Sequence, residues 1–132
     1  MPIGLLGAVL AVLLLSARST EPGPRAGSTG PRPEDKIQFD LSALNDAGLF
    51  GPADGLRALH YEFCIPATEA HVDEVRTIDP SIEVMRRSPG RIGCTSEQYL
   101  CVGSTHQPGF RDVLTRLASL SYVERIEPSF AE

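Results

Sequence analysis

Three cysteines, Cys64, Cys94 and Cys101, and three histidines, His60, His71 and His106, are the side chains here that could do chemistry. Two of the cysteines and His106 fall in the stretch Ser88–His106, around which the rest of the chain is arranged. An odd thiol count leaves one pair and one free thiol, or an intermolecular bond. The expected pair is Cys64–Cys101, on one face of adjacent strands; Cys94–Cys101, across a tight hairpin, is the alternative. Either bridge needs Cβ atoms about 4 Å apart. A second chemistry is metal binding: Cys64, Cys94 and Cys101 with His106 or His60 form a sulfur-rich donor set that suits zinc or copper. No Cys-x-x-Cys pair supports it, so the expectation is no cofactor, with zinc or copper as the alternative. A third is a thiol nucleophile with His60 or His106 as base and Glu62 orienting it. A domain this small leaves little room for a cleft, and no catalytic residue is expected. Gly103-Ser104-Thr105-His106 could offer backbone N–H groups to an anion, although a strand-to-helix loop with a capping hydroxyl reads more simply. His71 lies between polar residues and reads as solvated.

The elements that must position these residues are legible from periodicity. Leu59, Tyr61, Phe63 and Ile65 alternate with His60, Glu62 and Cys64, the period-two pattern of a strand with one apolar face. Pro66 ends it. Thr68 then caps a helix in which Val72, Val75 and Ile78 recur until Asp79-Pro80 stops it. A second strand runs through Ile82 and Val84 to the turn Ser88-Pro89-Gly90. Arg91–Cys94 reads as an extra short strand, and Tyr99–Ser104 as a third long one. Phe110, Val113, Leu114 and Leu117 stand at helical spacing behind Pro108, the clearest amphipathic helix in the chain. Tyr122–Glu127 gives a last strand, closed by Pro128.

The order is β-α-β-β-α-β, so the expected fold is α+β and ferredoxin-like: an antiparallel sheet with both helices on one face. Its first and third strands would be central neighbours. Leu59, Tyr61, Phe63, Leu100 and Val102 would then lie under the helices, and His60, Glu62, Cys64, Tyr99 and Cys101 on the open face. A one-residue slip would reverse either set. His60, Glu62 and Tyr99 are therefore the candidate binding surface.

Upstream, Ile3–Leu15 is apolar or small throughout, shorter than the roughly 20 residues that span a bilayer, and Ala17-Arg18-Ser19 offers small residues for cleavage before Thr20. Residues 1–19 read as a signal peptide; membrane contact would come only through this segment left uncleaved. Residues 20–36, rich in Pro and Gly, read as a flexible tether. Residues 37–55 hold a strand-like Ile37, Phe39, Leu41 alternation and either cover an open face of the domain or dock a partner. The folded part spans 56–130, roughly 75 residues, a size at which burial alone gives marginal stability and a disulfide helps. A net charge of −5, from 17 acidic and 12 basic residues, argues against nucleic acid, which needs clustered basic charge. The location expected is periplasmic or extracellular.

Tyr61-Glu62-Phe63-Cys64-Ile65-Pro66, Gly90-Arg91-Ile92-Gly93-Cys94 and Leu100-Cys101-Val102-Gly103-Ser104-Thr105-His106-Gln107 resemble a small family of exported bacterial proteins to which no activity is attached. The resemblance covers about 56–130 and implies export. Separately, the layout and the close Leu120–Pro128 are similar to the inhibitor-type prodomains of subtilisin-like proteases, a likeness at the level of analogy. The reading that results is an exported, non-enzymatic domain that binds an unknown protein partner and is held by a disulfide. The alternative is a metal-binding or thiol-active protein built on the Cys/His cluster.

Overall fold

A computed structural model describes residues 32–129; the expected signal peptide and the tether up to residue 31 lie outside the described residues. The chain is α+β. Strands β1 (Leu49–Phe50) and β2 (Arg57–Ala58) pair antiparallel. They are followed by β3 (His60–Pro66), α1 (Glu69–Ile78), β4 (Glu83–Met85), β5 (Gln98–Ser104), α2 (Phe110–Ala118) and β6 (Glu127–Ser129). The last four strands form one antiparallel sheet in the order β4-β5-β3-β6, so β3 and β5 are its central strands.

Local chemistry accounts for most boundaries. Thr68 accepts from the His71 backbone N–H and caps α1, which ends where Asp79 precedes Pro80. Gly109, at φ 65°, turns the chain into α2 in a left-handed conformation that costs glycine little. Val72 and Val75 of α1 and Phe110, Val113, Leu114 and Leu117 of α2 are buried in one core with Tyr61, Phe63, Ile65 and Cys101. Both helices thus cover the same face of the sheet.

The register differs from the expected one by a single residue in β5. Phe63 stands opposite Cys101, Ile65 opposite Tyr99 and Tyr61 opposite Gly103. Tyr99 and Cys101 therefore share the helix face, while Leu100 and Val102 share the open face with His60, Glu62 and Cys64. A strand apolar on both sides carries no alternation to fix its own facing. The close approach of Tyr61 to Gly103 is compatible with one facing only: a Cβ at residue 103 would stand 2.5–2.7 Å from the Tyr61 ring and hydroxyl.

Two further expectations are revised. Arg91–Cys94 is a turn rather than a strand. The last strand is Glu127–Ser129, so Pro128 lies inside it; β6 is an edge strand, where a missing N–H is tolerated. Residues 36–50 pack against the core. Leu44 is buried, and Ile37, Phe39, Leu41 and Phe50 lie half-buried against the same cluster. Ile37 bridges Ile126, Arg111 donates to the Leu44 carbonyl at 2.9 Å, and the Thr105 hydroxyl donates to the Gly48 carbonyl at 2.6 Å. Among the described residues no helix is long and apolar enough to cross a membrane.

Candidate functional site

Of the chemistry-bearing residues, His60, Glu62 and Cys64 project from β3 onto the open face of the sheet. Cys64 projects from β3 onto this face and is bonded to Cys94, thirty residues on, with Cα atoms 5.6 Å apart. The expected Cys64–Cys101 pairing is replaced because Cys101 sits on the helix face. Cys94–Cys101 is excluded by the same facing. The disulfide draws the segment after β4 across the sheet, burying Ile92 and Leu100 with Cys94 in a second, smaller cluster. Glu62, expected on the surface, lies under this cover at 4% exposure and accepts from the Ile92 backbone N–H at 2.7 Å. Arg125 holds the Ile92 carbonyl at 2.7 Å. The segment is fixed from both sides.

Beyond it the face stays open among the described residues. A concavity of about 420 Å³ is lined by His60, Glu83, Met85, Arg91, Leu100 and Val102, with Glu62 at its base. His60 and Met85 are exposed, and Glu83 and Arg91 give the apolar floor a mixed-charge rim. Tyr99, placed on this face from the sequence, is instead half-buried against the core, with the Arg86 guanidinium 5.4 Å from its ring centre. Of the three candidate surface residues only His60 is both exposed and on the open face.

The sulfur–histidine set is not assembled. Cys64 and Cys94 are bonded to each other, Cys101 is buried on the opposite side, and His106 directs Nδ1 to the Ala47 carbonyl at 3.0 Å. Among the described residues no group of three His, Cys, Asp or Glu side chains is arranged to hold a metal ion. Burial pushes the Cys101 thiol up to about 12, opposed by the nearby Arg76 charge and reinforced by that of Asp79. A buried thiol with a raised pKa behaves as a small apolar side chain, not a nucleophile. His71 is half-buried with its ring edge-on to Tyr122 rather than solvated.

A polar cluster around buried Asp79 at the end of the sheet carries no signal in the sequence. Asp79 is fully buried. It accepts from the Tyr61 hydroxyl, from the Ser81 backbone and hydroxyl at 2.9 and 2.6 Å, and from the Gln107 amide at 2.9 Å. Gln107 also donates to the Ser104 carbonyl at 2.8 Å. Burial, and next the charge of Asp79, push the Tyr61 phenol far above its ordinary value. Asp79 reads in sequence only as a helix stop, and no spacing rule marks it as a core residue. Every buried side-chain polar atom among the described residues has a partner. The cluster is therefore a brace rather than a site. The Gly103–His106 loop is similarly committed. Thr105 N–H bonds the Leu59 carbonyl at 2.9 Å and His106 N–H the Ser104 hydroxyl at 3.2 Å, so these groups do not await an anion.

Compared with family models, with curated proteins and with solved structures, the chain matches none.

Proposed function

We propose that this chain is an exported, non-enzymatic binding domain that engages a protein partner through the open half of its sheet. The observation that carries this reading is the division of one sheet face. The disulfide-pinned segment covers one half, and the other remains a concavity around Met85 and Val102. An apolar floor with a charged rim is the usual composition of a protein contact. Strand order and the placing of both helices on one side support a ferredoxin-like βαββαβ arrangement. Export rests on the apolar run Ile3–Leu15. A disulfide is also compatible with an oxidising compartment.

Two measurements test this. The intact mass of the full chain recovered from the exported fraction should be about 2 Da below that of the reduced form, with a single thiol alkylated after denaturation. A photo-crosslinking residue at position 85 should give one discrete adduct that is absent when the same residue replaces Arg116 on α2. Three alkylatable thiols, or identical adducts from both positions, would overturn the reading.

A further inference from the structure

The stretch Arg86-Arg87-Ser88-Pro89-Gly90-Arg91 concentrates three of the chain's 12 basic residues in a protein of net charge −5. Its first half borders a second cleft, of about 330 Å³, lined by Arg86, Arg87, Ser88, Thr95, Ser96 and Gln98. Among the described residues no acidic side chain lines it. Ser88 separates this cleft from the concavity around Met85. Cys94, in its wall, ties the lining to the sheet through the disulfide.

Hydrogen bonding inside the protein decides which of these groups remain available. Arg86 is committed: Nε and Nη2 bond Glu69 at 2.9–3.2 Å. It forms a fixed wall rather than a free charge. Arg87 is exposed and makes no hydrogen bond or ion pair among the described residues. Gln98 accepts from the Thr95 backbone N–H at 2.9 Å through Oε1, which leaves its Nε2 amide as a donor. Ser88 accepts from the Gly90 N–H at 3.3 Å, and among the described residues neither its own O–H nor the Ser96 hydroxyl has a further partner. The available groups in the cleft are thus donors: a guanidinium fork, an amide and two hydroxyls.

We propose that this cleft binds a phosphoryl or sulfuryl oxyanion, with Arg87 as the bidentate donor and Gln98, Ser88 and Ser96 serving the remaining oxygens. One guanidinium fork engages both oxygens of a carboxylate. The surplus of side-chain donors suits a group with a third peripheral oxygen. This proposal is independent of the partner-binding face and would stand if that reading failed.

The test uses the full oxidised chain, ¹⁵N-labelled and titrated at constant ionic strength with inorganic phosphate, inorganic sulfate, glycerol 3-phosphate and acetate. Phosphate or sulfate should cause saturable shifts at the Ser96 amide and the Gln98 side-chain amide, with acetate clearly weaker. Tighter binding of glycerol 3-phosphate would assign the site to an ester headgroup, and equal binding to the free ion. Arg87→Gln should raise the dissociation constant by about tenfold, the scale of one lost charge-assisted contact. Arg57→Gln, an exposed change outside the cleft, should leave it unaltered. Acetate binding as well as phosphate, an unaffected Arg87→Gln, equal losses in both variants, or no saturation would each overturn the proposal.

Discussion

Tyr61 meets three demands at once: its ring packs in the core, its edge lies on Gly103 and its hydroxyl donates to buried Asp79. Tyr61→Phe leaves a buried carboxylate one donor short and should cost about 1–3 kcal/mol in urea unfolding. Gly103→Ala forces the ring out of its place and should cost about 1–3 kcal/mol or more, with the Tyr61–Asp79 bond weakened too. Both variants should leave the disulfide formed. Cys101 and Tyr61 also contribute to the alkaline limit. Their folded pKa values lie above the ordinary 9.0 and 10.0, so above those values the unfolded chain releases protons that the folded chain retains. Stability should be flat with respect to these two groups below pH 9. It should fall from there upward, steepening beyond pH 10 as Tyr61 contributes. Urea midpoints measured from pH 8 to pH 11 check the sign: a rise across that range would refute the raised values. Under native conditions at pH 8 iodoacetamide should leave Cys101 unmodified, and denaturant should expose it to alkylation.

At the scale of elements, the disulfide-pinned segment is the part of the fold most dependent on a single bond. Closing a loop of thirty residues in the unfolded chain is worth about 3–4 kcal/mol in the chain-entropy account. A Cys64→Ala/Cys94→Ala double variant should lose roughly that much. It should also bind more of a hydrophobic dye, because Ile92 and Leu100 lose their cover. An unchanged urea midpoint would mean that Glu62 and Arg125 hold the segment without the bond. Helix α1 depends on a smaller device: Thr68→Ala should cost about 1 kcal/mol through loss of its cap.

For the molecule as a whole, the layer formed by residues 36–50 packs onto the core, with Leu44 buried in it and Ile37, Phe39, Leu41 and Phe50 half-buried against it. Leu44, Ile37 and Phe39 close the helix side of the sheet, and Gly48, Leu44 and Ile37 are tied to Thr105, Arg111 and Ile126. Removing residues 32–55 should therefore abolish cooperative unfolding rather than release an intact smaller domain, as read by urea titration and amide spectral dispersion. A sharp, native-like transition in the shortened chain would show the layer to be an accessory.

The strong local signals in the sequence survive in the structure. Leu59–Ile65 alternates as a strand, Thr68 and Asp79-Pro80 bound the first helix, and Phe110–Leu117 gives the second its buried face. These depend on neighbours within a few residues, and period and capping report them directly. What the sequence left undecided was the facing of β5. β5 is apolar on both sides, so nothing local distinguishes Cys101 inward from Leu100 inward. The decision came from Gly103 against Tyr61, a contact made across the sheet. That choice moved Tyr99 into the core and left Cys94, carried in by the turn, to meet Cys64. Buried Asp79 and half-buried Gln107 meet for a related reason: the ends of separate elements come together only once the sheet has closed, and Asp79 can be buried there because it finds its partners in the fold.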